Sequence, residues 1–166
     1  RMARKAPAAT ITAADLEGTY NALASSAFQG YPEQVWEINI TADSEDANKL
    51  WFHPICLFEG ATLDMISPVY ATLDAADGTL TMPLGQTVFE ASDGRLVIAT
   101  SADGKNVDTT GEVTMNVSMN SNGIIISFAE NFFFGVGDIV NNQWWYQAVY
   151  SVTFTQEFAI PSVYIY

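Results

Sequence analysis

Apolar and polar residues alternate with a period of two along most of the chain. Val113, Met115, Val117 and Met119 interleave with Thr114, Asn116, Ser118 and Asn120, and Trp36, Ile38 and Ile40 with Glu37, Asn39 and Thr41. Val69, Ala71 and Leu73 alternate in the same way with Tyr70, Thr72 and Asp74. The longest stretch sets Trp144, Tyr146, Ala148, Tyr150, Val152 and Phe154 on one face, against Trp145, Gln147, Val149, Ser151, Thr153 and Thr155 on the other. Successive side chains of a strand point to opposite faces, so the pattern predicts half-buried antiparallel strands. Trp36, Ile38, Ile40, Val113, Val117, Tyr150 and Val152 are expected to face one continuous core.

Turn signals recur between these stretches: Asp77-Gly78, Asp93-Gly94, Asp103-Gly104, Asn122-Gly123 and Asn141-Asn142. Such pairs tolerate positive φ and match the twist of flanking antiparallel strands. Nine or ten strands follow, near 18–24, 34–42, 49–57, 68–74, 79–83, 86–91, 95–101, 111–120, 123–130 and 143–157. No window holds a helical period for long. The exception is Thr12-Ala13-Ala14-Asp15, whose spacing fits a capping box leading into one turn before Gly18. Exposed sheet edges aggregate and closure removes them, so the predicted fold is an all-β antiparallel up-and-down barrel, with a two-sheet β-sandwich as the alternative. No linker divides the chain, and residues 12–166 are expected to form a single β-barrel domain after a linker or processed segment over 1–11.

The short turn running into Gly18-Thr19-Tyr20 resembles the start of lipocalin-like (calycin) barrels, where a glycine, any residue and an aromatic open the first strand. Tyr70-Ala71-Thr72-Leu73-Asp74, Gly78-Thr79-Leu80-Thr81-Met82-Pro83 and Gly85-Gln86 look like secreted or lipid-anchored β-domains of Bacteroidetes. The resemblance implies a barrel with an internal cavity, an aromatic Tyr20 closing one end, an extracytoplasmic location and no catalytic residues to carry over. A membrane association would run through a lost lipid anchor.

Composition narrows the chemistry. The 166 residues carry a formal charge of −13 from nineteen acids and six bases. Three of those bases, Arg1, Arg4 and Lys5, fall in the first five residues. Phosphate binding needs Lys and Arg, so nucleic acid is excluded as a partner. The lone Cys56 allows no intrachain disulfide and reads as a buried small hydrophobe. The one histidine, His53, precedes Pro54, and no Gly-x-Ser-x-Gly elbow, Gly-x-Gly-x-x-Gly or P-loop accompanies it, so it reads as structural. Asp43, Glu45 and Asp46 could ligate Ca²⁺ but lack EF-hand spacing, and a solvated hairpin loop is the simpler expectation. No cofactor or metal is expected. Scarce His, Cys and Lys also count against an enzyme, although a pair of acids on a β scaffold is all that a small glycoside hydrolase requires.

The aromatic residues point to binding. Phe132-Phe133-Phe134 precedes Gly135, Gly137 and Asp138, then Asn141-Asn142-Gln143 and Trp144-Trp145-Tyr146. The stretch around Gly135 and Gly137 reads as an aromatic loop. Neighbouring tryptophans on a strand face opposite ways, so one of Trp144 and Trp145 meets solvent, a cavity or a partner. Asp138, Asn142, Gln143, Trp144, Trp145 and Tyr146 are therefore the candidate ligand-binding residues: flat rings for stacking, with amides and an acid for hydroxyls. The function expected is a non-catalytic binding domain of a secreted or cell-surface protein. Its ligand is either a neutral glycan on the aromatic patch or a small apolar molecule in the barrel. The alternative is a structural module meeting a surface-protein partner.

Overall fold

A computed structural model describes residues 11–27, 33–56, 62–89 and 94–158, with the backbone alone for Tyr146 and Gln147. The N-terminal segment, Asp93, the ends of the strands expected at 49–57 and 86–91, and the Tyr146 side chain lie outside the described residues. Ten strands are present: β1 (Gly18–Ser26), β2 (Gln34–Ala42), β3 (Lys49–His53), β4 (Val69–Asp74), β5 (Thr79–Pro83), β6 (Leu96–Ser101), β7 (Glu112–Asn120), β8 (Gly123–Phe128), β9 (Phe133–Asp138) and β10 (Gln143–Glu157). They run in the order β1-β2-β3-β4-β5-β7-β8-β10, and β10 returns to β1, closing an eight-stranded antiparallel barrel. The predicted fold class is thus the one observed.

Large apolar side chains line the barrel interior. Tyr20, Ile38, Phe52, Leu80, Met115, Ile126 and Phe154 point inward at 0–1% exposure, and the rings of Phe52 and Phe154 lie 6.1 Å apart. Eight strands enclose a space just wide enough for side chains to fill. The 3-10 turn Ala14–Leu16 closes one end. Thr12 and Asp15 cap it reciprocally, backbone to side chain, at 3.0 and 3.3 Å. Leu16 is fully buried there, and its carbonyl accepts the Tyr20 hydroxyl at 2.8 Å, so Tyr20 closes the core as expected.

At the other end β10 outruns its neighbour. Its second half pairs with β8, from Thr153↔Ser127 to Glu157↔Gly123. Its first half pairs with β9, from Gln143↔Asp138 to Val149↔Phe134, and β9 carries β6 on its far edge. Phe134 and Val136 continue the barrel core into this three-stranded extension, with Phe134 edge-on to Phe128 at 5.0 Å.

Three expectations need correction. The segment Phe133–Asp138 is strand β9, not an aromatic loop: Gly135 and Gly137 sit in its ladder, opposite Ala99 and Val97 of β6. Gly137 lies under a second layer, and a Cβ there would run into Val107. The strand expected at 86–91 reduces, over its described residues, to single bridges at Thr87 and Phe89. The long face of β10 is also broken. Ser151 takes a positive φ of 54°, and β10 spends three residues from Tyr150 to Thr153 while β1 spends two from Ser25 to Leu23. That extra residue is a β-bulge, and it exchanges the two faces of the strand. Below the bulge Val152 and Phe154 point inward; above it Val149 does, with Trp145 packed against the same core. Tyr150 is therefore half-buried on the outside, whereas Ile38, Ile40, Val113 and Val152 are in the core and Trp36 and Val117 pack against it.

Candidate functional site

Of the six residues singled out from the sequence, Asp138, Asn142, Gln143, Trp144 and Trp145 sit around the β9–β10 hairpin but do not form one patch, and the Tyr146 side chain lies outside the described residues. Asp138 is buried, and its carboxylate accepts from the backbone N–H groups of Val140 and Asn141 and from the Asn141 amide, at 3.0, 3.2 and 2.9 Å. The Asn141 amide above all, with the two backbone donors and Arg95, holds that carboxyl below the usual carboxylate range. It shapes its own turn. Asn142 follows at φ 52°, exposed, as is Gln143. Trp144 and Trp145 are both half-buried and face opposite ways. Trp144 donates from Nε1 to the carbonyl of Gly104 at 3.1 Å, beneath the loop 102–108 that covers the outer face of β9. Trp145 packs on the core side, its ring 4.8 Å from that of Phe89.

A different set of residues forms an open site nearby. Where β10 passes from β8 to β9, the crossing segment leaves a cleft of about 530 Å³ on the outer wall. Phe132, Phe133 and Tyr150 supply its rings, and Asn131 and Ser26 its polar groups, with Ala27 and Ala102 at the margin. Phe133 meets Tyr150 edge-on, 5.7 Å between centroids, and Phe132 lies 5.3 Å from Phe128. Phe133 also lies against Gly104, where an added Cβ would come within 3.1 Å of the ring. Rings fixed on strands by such contacts are preorganised, the property that a shallow site needs. The bulge at Ser151 is what turns Tyr150 outward into the cleft. The alternation alone had placed that ring in the core, and no dipeptide around Ser151 announces the bulge.

His53 and Cys56 are both engaged in the fold. His53 Nε2 lies 3.0 and 2.8 Å from the carbonyls of Leu63 and Ile66, tying the 3-10 turn Leu63–Met65 to β3. Cys56 is buried, and burial pushes its thiol up to about 12, far from a thiolate nucleophile. Among the described residues no group of three His, Cys, Asp or Glu side chains is placed to hold a metal. In the loop suggested for calcium, Asp43 is turned onto its neighbours: it accepts from Trp51 Nε1 at 2.8 Å and from the backbone N–H groups of Asp46 and Glu45 at 2.9 and 3.0 Å.

Those bonds, the Trp51 one foremost, lower Asp43 from 3.8 to about 2. A carboxylate depressed by folding contributes stability above its unfolded value, and that contribution is lost as pH falls through the folded one. Asp103, held low chiefly by the Asn106 and Lys105 backbone N–H groups, acts in the same direction. The protein is expected to lose stability on acidification from about pH 4 towards pH 2. An Asp43→Asn variant should lose less over that window, read as urea midpoints at stepped pH. Parallel curves for parent and variant would show that Asp43 contributes nothing to the acid sensitivity.

Compared with family models, curated proteins and solved structures, the chain matches none.

Proposed function

We propose that this chain is a non-catalytic, extracytoplasmic binding domain of lipocalin-like design, taking a neutral glycan at the Tyr150 cleft. The observation that carries the reading is that cleft: about 530 Å³ of open space walled by Phe132, Phe133 and Tyr150, with amide and hydroxyl groups at its rim. Rings stack on the apolar faces of sugars while amides and hydroxyls bond their edges. The large apolar side chains that crowd the barrel interior favour a ligand on the outside over an apolar guest within. The −13 charge disfavours anionic ligands. Support for a lipocalin-like relationship, of the kind found in secreted or lipid-anchored proteins of Bacteroidetes, comes from the Gly18-Thr19-Tyr20 opening and its capped turn.

The test is a glycan array on the parent and on Tyr150→Ala and Phe133→Ala variants, with melting curves to confirm folding. The parent should bind, and each variant should weaken binding by about tenfold, the equivalent of roughly 1.4 kcal/mol. A parent that binds no glycan would sink the reading. It would favour instead the assembly module, for which Ile139 and Val140, more than half exposed at the rigid β9–β10 turn, offer a protein contact.

A further inference from the structure

Trp144, which the sequence pattern marks as a ligand-binding ring, is turned onto the chain's own backbone. It donates from Nε1 to the carbonyl of Gly104, in the loop 102–108, at 3.1 Å. That loop leaves β6 and returns to it. Thr100 and Asp108 exchange backbone hydrogen bonds in both directions, at 2.9 and 2.7 Å, and so close its base. Asp103 ties the loop together from within. Its Oδ1 accepts from the Ser101 hydroxyl and from the backbone N–H groups of Lys105 and Asn106, at 2.9, 2.8 and 2.9 Å, and its Oδ2 from the Asn106 amide at 2.7 Å. The Ser101 hydroxyl in turn accepts from the Gly104 N–H at 2.8 Å. A loop bonded to itself in this way is held as one rigid piece.

The contacts of that piece lead to the Tyr150 cleft. Val107 sits over Gly137, which has no side chain to displace it. Trp144 is the cross-strand partner of Gly137 and holds Gly104 beside it. Gly104 bears on the ring of Phe133, where an added Cβ would lie 3.1 and 3.3 Å from two ring carbons. Phe133 meets Tyr150 edge-on, and Ala102, at the start of the loop, lies at the margin of the same cleft. Trp144 itself does not line the cleft.

We propose that Trp144 is a positioning residue for the Tyr150 cleft. By holding Gly104 it seats the loop 102–108 against Phe133, and so sets the tilt of the Phe133 and Tyr150 rings and the place of the Ala102 rim. Stacking depends on ring tilt and offset, so a displaced loop weakens binding without removing any group that touches a sugar. The inference rests on the sugar reading of the cleft for its effect on binding, and on the contacts alone for its effect on the rings.

Two variants test it. Trp144→Phe removes the Nε1 donor and keeps an aromatic ring, whereas Val107→Ala loosens the loop from the Gly137 side with Trp144 intact. The readouts are the ring resonances of Phe133 and Tyr150 in NMR spectra and affinity for a panel of neutral gluco- and galacto-oligosaccharides. In both variants those two rings should shift while Phe52 and Phe154, inside the barrel, stay in place. Affinity for the panel sugars that the parent binds should fall about threefold, within the range of one lost hydrogen bond. A merely structural Trp144 would lower the melting point and leave Phe133 and Tyr150 unshifted, which would overturn the assignment. Shifted rings with undiminished sugar affinity would overturn it as well. A parent that binds no panel sugar would remove the sugar reading, and the ring shifts would then decide the positioning by themselves. Should Trp144→Phe fail to fold, Val107→Ala carries both readouts.

Discussion

A Phe154→Ala variant is expected to unfold with about 3–5 kcal/mol less stability than the parent. Phe154 projects from the lower half of β10 into the middle of the barrel, paired with Ala22 of β1 on one side and Ile126 of β8 on the other. Its ring is 1% exposed and packs on Phe52. Truncation removes the transfer free energy of the ring and leaves a void that rigid, hydrogen-bonded strands cannot close. Denaturant midpoints measure the loss, with an unchanged slope confirming that the fold persists. The same variant tests whether the interior is filled, since an engineered apolar void should take up a small aromatic guest that the parent excludes. A loss below about 1 kcal/mol, or uptake by the parent, would mean that the barrel is open.

Deleting Ser151 should cost a similar amount for a different reason. The residue is the bulge that exchanges the faces of β10 beside β1, so removing it restores alternation from Val149 to Phe154. Val149 and Trp145 then turn outward, or the ladder to β9 slips. Moving two apolar side chains out of the core at about 1.5–3 kcal/mol each gives a loss of roughly 3–6 kcal/mol. Substitution separates the bulge from the side chain. Glycine accepts a φ of 54° without the Cβ clash that a serine tolerates, so Ser151→Gly should match the parent or exceed it by up to about 1 kcal/mol. A β-branched Ser151→Val should fall below it. A deletion variant as stable as the parent would show that the faces of β10 do not depend on the bulge.

The amino-acid sequence by itself determined the class of fold and most of its strands. A period of two is a local property: Val113 to Asn120 reads as a half-buried strand because the next residue always points the other way, and β7 is found there. Turn chemistry is equally local. Asn122-Gly123 ends β7 and starts β8, with the Asn120 side chain accepting from both backbone N–H groups. The capped turn was legible for the same reason, whereas the burial of Tyr20 was an expectation of the resemblance to lipocalin-like barrels. The candidate site was legible only in neighbourhood: the aromatic run from Phe132 to Tyr146 borders the cleft, but among the described residues only Phe132 and Phe133 of its rings line it, joined by Tyr150. Which rings face outward was decided by the tertiary structure. The bulge at Ser151 arises because β10 must pair with β1 along one edge and with β8 and then β9 along the other, a demand set by residues far away in the chain. Likewise Gly135 and Gly137 read alone as a bend, and became strand because β6 lies beside them, with Val107 over Gly137. Local sequence sets which residues alternate, whereas the phase of that alternation depends on long-range pairing, and that phase placed Tyr150 in the cleft.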